Sequence, residues 1–149
     1  MKLNSFLAVL IGSLIFSSNA MAENQIGSTK NEKIDEVSLV QLLSQPETYE
    51  GKFVRVEGFI RLEFEGNGIY LSRDDANYLI AKNSLWVEFD QNLWTDPANG
   101  KRIDIDKMFN GKFVLIEGIF DKNNKGHMGL FSGAIKKISR VMELKKYYS

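Results

Sequence analysis

The sequence predicts an all-β domain with a minor helix, namely a five-stranded Greek-key barrel preceded by one short helix. Three observations support this prediction. The segment YEGKFVRVEG at residues 49–58 returns as FNGKFVLIEG at residues 109–118, so one β-hairpin is written twice. The first strand is long and has a glycine in its middle, which suits a strand that bends across both halves of a closed sheet. The predicted elements run in the order helix, three strands, an irregular connection and two strands.

The first 22 residues have the pattern of a secretory signal peptide. Lys2 supplies the positive charge, residues 6–16 form an apolar run, and Ala20-Met21-Ala22 offers small residues at the cleavage site. We therefore expect cleavage after Ala22, with Ala20 as second choice, and a periplasmic or secreted protein. An uncleaved membrane anchor is the alternative, but the apolar run is shorter than the roughly 20 residues of a spanning helix. No membrane span is expected after cleavage.

The next two segments precede the first predicted strand of the barrel. Residues 23–33 are polar and are predicted to form a disordered leader. Residues 34–45 carry apolar side chains at roughly helical spacing, which predicts a short helix that Pro46 ends. A single domain is expected from residue 34 to residue 141, followed by a basic and aromatic tail at residues 142–149.

Residues 52–64 alternate with the two-residue period of a β-strand. One face carries Val54, Val56, Gly58, Ile60, Leu62 and Phe64, and the other carries Phe53, Arg55, Glu57, Phe59, Arg61 and Glu63. A turn at residues 65–68 leads to predicted strands at residues 69–73 and 84–89. From the two repeats we expect Val54, Val56, Ile60, Val114 and Ile116 to be core residues.

The second half of the chain begins with its least regular part, residues 90–109. Asp96-Pro97 and Asn99-Gly100 break any long helix there, which leaves one or two helical turns at residues 103–109. The second repeat then predicts a strand at residues 112–121, a turn, and a last strand at about residues 127–138. Because neither hairpin alone buries enough apolar surface, one shared barrel core is favoured over two tandem hairpin modules or a half-open sandwich.

The segments YEGKFVRVEGFI, GIYLS, SLWVEF, GKFVLIEGIF and GHMGLFSGAIKKISRV together resemble the OB-fold, specifically the exported (periplasmic) bacterial OB-fold proteins of largely unassigned function. The resemblance covers roughly residues 36–141. Two features depart from the family. The helix usually found between strands 3 and 4 is replaced by a segment with Pro97 and Gly100, and the clearest helix precedes strand 1. The resemblance implies a binding scaffold, because OB-folds seldom carry catalytic residues of their own.

Composition restricts the chemistry that the chain can support. The absence of cysteine excludes disulfides, thiolate catalysis and cysteine-ligated zinc, and a formal net charge of zero gives no general attraction to nucleic acid. His127 is the only histidine, and Ser132 lies outside any nucleophile-elbow pattern. Glu57 and Glu117 occupy equivalent repeat positions on the outward side of their strands, where we expect cross-strand ion pairs with Arg55 or a lysine rather than catalytic carboxylates. No catalytic residue, metal or cofactor is predicted.

The outer face of the first three strands is the candidate ligand-binding site. The two-residue period assigns Arg55, Phe59, Arg61, Tyr70 and Trp86 to it, and Arg73 fits less well. Aromatic rings interleaved with arginines are typical of a surface on which bases, sugars or aryl groups stack. The structural alternative is that the helix of residues 34–45 covers these rings and turns them into a second small core.

These features predict an exported, non-catalytic binding or interaction module whose partner is an unidentified periplasmic protein or small ligand. One alternative is a binder of single-stranded nucleic acid or of oligosaccharides that uses the aromatic and arginine face. Export and zero net charge argue against nucleic acid, which requires a strongly basic surface. A small hydrolase is the third and least favoured reading, because it needs a nucleophile and a base.

Overall fold

The computed structural model describes residues 24–90, 94–96 and 98–146, and the predicted signal peptide lies outside these ranges. The described chain is mostly β-structure with short helices. Its strands are β1 (Gln25–Gly27), β2 (Asp35–Glu36), β3 (Phe53–Arg61), β4 (Gly68–Tyr70), β5 (Ser84–Val87), β6 (Lys112–Asp121) and β7 (Ala134–Glu143). Its helices are α1 (Leu39–Ser44), α2 (Pro46–Tyr49), α3 (Arg73–Asn77) and α4 (Ile105–Phe109), with 3₁₀ turns at Ala81–Asn83 and His127–Gly129.

Five strands close into a mixed barrel. Strand β3 pairs antiparallel with both β4 and β6, β4 pairs antiparallel with β5, and β6 pairs antiparallel with β7. The circuit is completed by the parallel pair of β5 and β7, in which Trp86 lies opposite Ala134. The predicted five-stranded barrel is therefore confirmed.

Two glycines at equivalent repeat positions allow the strands to cross closely. A Cβ atom on Gly58 of β3 would lie 2.7 Å from the Ile69 side chain and 2.8 Å from the Tyr70 carbonyl oxygen. A Cβ atom on Gly118 of β6 would lie 2.7 Å from the Ile135 side chain and 2.8 Å from the Lys136 carbonyl oxygen. Near Gly118 the register of β6 against β7 also shifts. The repeated glycine therefore marks close packing between neighbouring strands of the barrel.

The barrel interior is formed by the inward faces of these strands. The five predicted core residues, Val54, Val56, Ile60, Val114 and Ile116, are all fully buried. Leu39 and Leu42 of α1 and Ile105 and Phe109 of α4 join the same hydrophobic cluster. Helix α4 also confirms the expectation of one or two helical turns between residues 103 and 109.

The segment before the barrel, residues 24–36, crosses its outer surface and is called the strap. Strand β1 at one end of the strap pairs with β7, and β2 at the other end pairs with β3. Between them, the Thr29 hydroxyl donates to the Glu117 carboxylate of β6 at 3.0 Å, and within β1 the Ile26 side chain is buried. Residues 23–33 were expected to form a disordered leader, and their described part instead includes strand β1.

The N-terminal helix is shorter than the sequence predicts. Helix α1 begins after Ser38, whose hydroxyl accepts a hydrogen bond from the Gln41 amide in a capping box. Asp35 and Glu36 pair in parallel with β3 instead of opening the helix. Pro46 follows the end of α1 as expected, but it also starts the single turn of α2.

Other strand boundaries also differ from the prediction, among them the end of β5 at Val87 rather than at residue 89. The strand expected at residues 69–73 ends at Tyr70, because Ser72 caps the N-terminus of α3. The last strand begins at Ala134, since residues 127–129 form a 3₁₀ turn, and it extends through Glu143 into the predicted tail. Phe64 was assigned to the inward face of the first strand, but it follows the end of β3 and is 94% exposed.

Candidate functional site

The rings of the predicted binding face form a small second core. Phe59 is 5% exposed and Tyr70 is 2% exposed, and both pack with Ala76 of α3 and with Phe131. Trp86 is partly buried against this cluster, with its ring centroid 5.4 Å from that of Phe131. A second core was the structural alternative, but its cover comes from α3 and Phe131 rather than from residues 34–45. In this conformation Phe59 and Tyr70 are not open to a stacking ligand.

The two arginines of the predicted face bind neighbouring carboxylates. Arg55 pairs with Glu117 at 2.8 Å and with Glu36 of the strap, which confirms the cross-strand ion pair expected for Glu117. Arg61 pairs with Glu63 and donates to the Ala76 carbonyl oxygen at 2.6 Å, so it helps to fix α3. Both guanidinium groups therefore serve the fold in this structure.

Glu117 is fully buried, although it was assigned to the outward side of its strand. Besides Arg55 and Thr29, its Oε1 atom accepts a hydrogen bond from Arg140 of β7 at 3.2 Å. Its Oε2 atom is buried without a hydrogen-bond partner in the part of the chain described. The strap covers what would otherwise be an exposed face of the sheet, which the two-residue period alone does not reveal.

A concave surface lies elsewhere, between the β3–β4 loop and the connection from β5 to α4. This aromatic cleft has a volume of about 680 Å³ and is lined by three aromatic side chains, Phe64, Phe89 and Trp94. The rings of Phe89 and Trp94 meet edge to face with centroids 6.3 Å apart. Phe64 adds an almost fully exposed ring, so the cleft offers apolar surface that folding of the described residues does not use.

The turn that presents Trp94 is held by its own backbone. Thr95 and Arg102 form a β-bridge, and the Ile103 amide donates to the Trp94 carbonyl oxygen at 2.5 Å. This pairing brings the Arg102 guanidinium to 4.9 Å from the centroid of the Trp94 ring. The Nε1 atom of Trp94 is buried and has no hydrogen-bond partner among the described residues.

Four carboxylates line the aromatic cleft and outnumber its single cation, Arg102. They belong to Glu63, Glu65, Asp104 and Asp106. Glu63 is paired with Arg61, and the Asp104 carboxylate accepts a hydrogen bond from the Lys107 amide as the cap of α4. The cleft is therefore locally acidic in a chain whose formal net charge is zero.

A second hollow adjoins the cleft at the β3–β4 loop. This Trp86 hollow, of about 410 Å³, is lined by Glu65, Asn67, Trp86, Asn124, Gly126 and His127. Glu65 and Asn67 line both concave surfaces. The Glu65 carboxylate lies 3.3 Å from His127 Nε2, which links the β3–β4 loop to the β6–β7 loop.

The base of the β6–β7 loop is fixed by Asp121 at the end of β6. Its carboxylate accepts hydrogen bonds from the Asn123 and Asn124 amides at 2.9 and 3.1 Å and pairs with Lys136 at 2.5 Å. The hydrogen bond from Lys136 is the main reason that the pKa of Asp121 is held below its ordinary value. In the second core, burial raises the pKa of the Tyr70 phenol.

The sequence prediction missed the cleft. None of the predicted site residues lines it, and Trp86 lines the adjoining hollow instead. The cleft residues Phe89, Trp94 and Arg102 lie in or beside the irregular region of residues 90–109. The available signal was the density of aromatic residues around this break in periodicity, because an aromatic side chain in a loop needs a packing partner or a ligand.

Neither metal ligation nor similarity to a known protein characterises the site in the described residues. No group of three or more described His, Asp or Glu side chains is arranged to hold a metal ion. A membrane-spanning helix would need more length and apolar character than any helix of the described residues has. Comparisons with protein-family models, curated proteins and solved structures gave no significant match to this chain.

Proposed function

We propose that this chain is an exported, non-catalytic binding or interaction module with an OB-fold barrel, and that the aromatic cleft is its binding site. The pairing order supports the fold assignment. We number the five barrel strands in chain order, from β3 as the first to β7 as the fifth. Around the barrel they then follow the order first, second, third, fifth, fourth and back to first, and the third and fifth strands are parallel. OB-folds bind ligands with the face of strands 2 and 3 and with the loops joining strands 1–2 and 4–5.

The observation that carries the binding proposal is the meeting of these two loops beside the aromatic cleft. The β3–β4 loop contributes Phe64 and Glu65, and the β6–β7 loop reaches it through His127. A largely preformed concavity with aromatic walls and a few polar groups is the usual form of a ligand site. The exposed ring of Phe64 gives the folded domain little stability, so we assign it to ligand contact.

Non-catalytic binding is favoured over hydrolysis by the partners of the two candidate catalytic side chains. His127 faces Glu65, and the Ser132 hydroxyl donates to the Lys82 carbonyl oxygen at 2.8 Å. An activated serine nucleophile requires a hydrogen bond to its base. Ser132 and His127 make no such hydrogen bond to each other within the described residues. The acidic rim of the cleft also disfavours nucleic acid, because phosphates are repelled by carboxylates.

Binding can be tested with Phe64→Ala, using Tyr78→Ala as a matched control. Both rings are largely exposed, but only Phe64 lines the cleft. We expect both variants to keep the parental melting temperature, since exposed substitutions change stability by only about 0.5 kcal/mol. A panel of acidic, basic and neutral peptides, oligosaccharides and single-stranded DNA is then titrated while tryptophan emission is recorded. Binding that Phe64→Ala weakens and Tyr78→Ala preserves supports the proposal, whereas equal binding by both variants or no saturable binding contradicts it.

Export is tested separately at the N-terminus. The charged, apolar and small-residue segments of residues 1–22 motivate the proposal. Protein recovered from the cell envelope or the medium should begin at Glu23 when its N-terminus is sequenced. Recovery of an intact Met1 in the cytoplasmic fraction would contradict export while leaving the binding site unaffected.

A further inference from the structure

We infer that the aromatic cleft takes a cationic group on an apolar stem, which is an alkylammonium or guanidinium group such as a lysine or arginine side chain carries. This inference rests on the proposed function, because it assumes that the cleft is a binding site. It adds the chemical class of the ligand.

The aromatic wall provides the first part of the argument. The face of an indole ring attracts cations through its quadrupole, and the attraction grows where water is excluded. Trp94 already holds a guanidinium on its ring, that of Arg102 at 4.9 Å. Phe89 meets Trp94 edge to face, and Phe64 is nearly fully exposed beside them. The cleft therefore has further ring surface beyond the part that Arg102 covers.

The charges of the cleft provide the second part. Glu63, Glu65, Asp104 and Asp106 give it four carboxylates against the single guanidinium of Arg102. Arg61 offsets Glu63 from β3, His127 faces Glu65 from the β6–β7 loop, and the Lys107 backbone amide donates to Asp104. Asp106 is exposed on the first turn of α4. An anionic ligand would meet this excess of negative charge, whereas a cation gains from it.

The size of the cleft provides the third part. A volume of about 680 Å³ lies within the roughly 300–1,000 Å³ that is usual for ligand sites. Such a space holds a long aliphatic stem beside the rings while its charged end reaches the carboxylates, which is how lysine and arginine side chains bury their stems.

The two tryptophans of the chain make a specific experiment possible. They are Trp86 and Trp94, so in a Trp86→Phe background the emission reports on the cleft alone. Four probes are titrated: a tetralysine peptide, the same peptide with every side-chain amine acetylated, a tetraglutamate peptide, and spermidine. The acetylated peptide keeps the apolar stem and removes the charge.

We expect saturable binding of tetralysine that raised salt weakens, with no comparable binding of the acetylated or glutamate peptide. Glu65→Gln and Asp106→Asn should each weaken binding about threefold and the double variant about tenfold, as is typical of partly exposed charge pairs. Glu32→Gln on the strap, outside the cleft, should leave binding unchanged. Circular dichroism melts of each variant show that the fold is intact.

The remaining outcomes separate this inference from the proposed function. Binding of tetralysine without spermidine identifies a basic peptide as the source of the cation, and comparable binding of both identifies a free polyamine as sufficient. Equal or tighter binding of the acetylated or glutamate peptide at Trp94 overturns the inference while leaving the cleft a binding site. If no probe binds there, the inference fails, and the proposed function fails too only if the wider panel shows no binding that depends on Phe64.

Discussion

At the scale of single residues, the two copies of the repeat place chemically identical glutamates in different surroundings. Glu57 is exposed on β3, whereas Glu117 on β6 is fully buried under the strap. Its carboxylate joins the guanidinium groups of Arg55 and Arg140, at 2.8 and 3.2 Å. A buried ion cluster adds little net stability when it is complete, but removal of one member leaves the others uncompensated.

Alanine substitution at these two glutamates tests that difference. Glu117→Ala should lower the free energy of unfolding by about 3–5 kcal/mol, because Arg55 and Arg140 lose their shared buried partner. Glu57→Ala, the matched control at the equivalent repeat position, should change it by no more than about 0.5 kcal/mol. Urea unfolding followed by circular dichroism measures both. Similar losses at the two positions would show that the strap does not bury Glu117.

Asp121 gives a residue-level prediction for pH. The pKa of its carboxyl is lowered in the folded state, mainly by the hydrogen bond from Lys136. Its stabilisation is therefore complete above its unfolded pKa of about 3.9 and is lost as the pH falls through the lower folded value. Asp121→Asn should cost about 1 kcal/mol at pH 7 and progressively less as the pH falls below about 4. A cost that is unchanged in acid would mean that the charge of Asp121 is not what matters.

At the scale of elements, helix α3 and Phe131 decide whether the predicted aromatic face is open. Helix α3 lies after β4 and places Ala76 against Phe59 and Tyr70. Ser72 accepts a hydrogen bond from the Asp75 amide, and Asp74 and Asp75 occupy the first turn. That serine followed by acids is a helix-start signal in the sequence. The apolar residues just before it obscure this signal, because they favour a strand that continues through residue 73.

Truncation of the covered ring should be costly. Phe59→Ala should lose about 3–5 kcal/mol of unfolding free energy, since its ring is buried in the second core. Phe64→Ala, which removes an exposed ring five residues later, should be near neutral. Thermal melts of the two variants compare them directly. A near-neutral Phe59→Ala would show that the predicted face is open to ligands after all.

The elements that the sequence predicts correctly are those with a local sequence signal. Strand β6 was predicted with its observed bounds and the five core valines and isoleucines were assigned correctly, because their period-2 pattern and repeat are local signals. Burial by segments that are distant in sequence leaves no local signal. The strap buries Glu117, and Ala76 and Phe131 bury the rings of Phe59 and Tyr70. These contacts, like that of Trp94 with Phe89, join separate parts of the chain.

At the scale of the whole molecule, the strap connects the two outer strands of the β7–β6–β3 sheet. Its strand β1 pairs with β7, its strand β2 pairs with β3, and Thr29 contacts β6, the middle strand. The aromatic cleft uses other residues, on the β3–β4 loop and the connection to α4. Stability from the strap and binding at the cleft are therefore expected to respond to different substitutions.

Ile26 distinguishes an ordered strap from the disordered leader that composition predicts. Its side chain is buried opposite Val141 in the pairing of β1 with β7. Ile26→Ala should therefore lower the free energy of unfolding by about 2–4 kcal/mol, as is usual for large-to-small changes in a core. Val40→Ala on α1 is the control, because that side chain is largely exposed and its loss should be small. Both variants should keep the tetralysine binding proposed for the cleft, since neither residue lines it. If Ile26→Ala melts like the parent protein, residues 24–33 do not pack as a strap in solution, and the burial of Glu117 must have another cause.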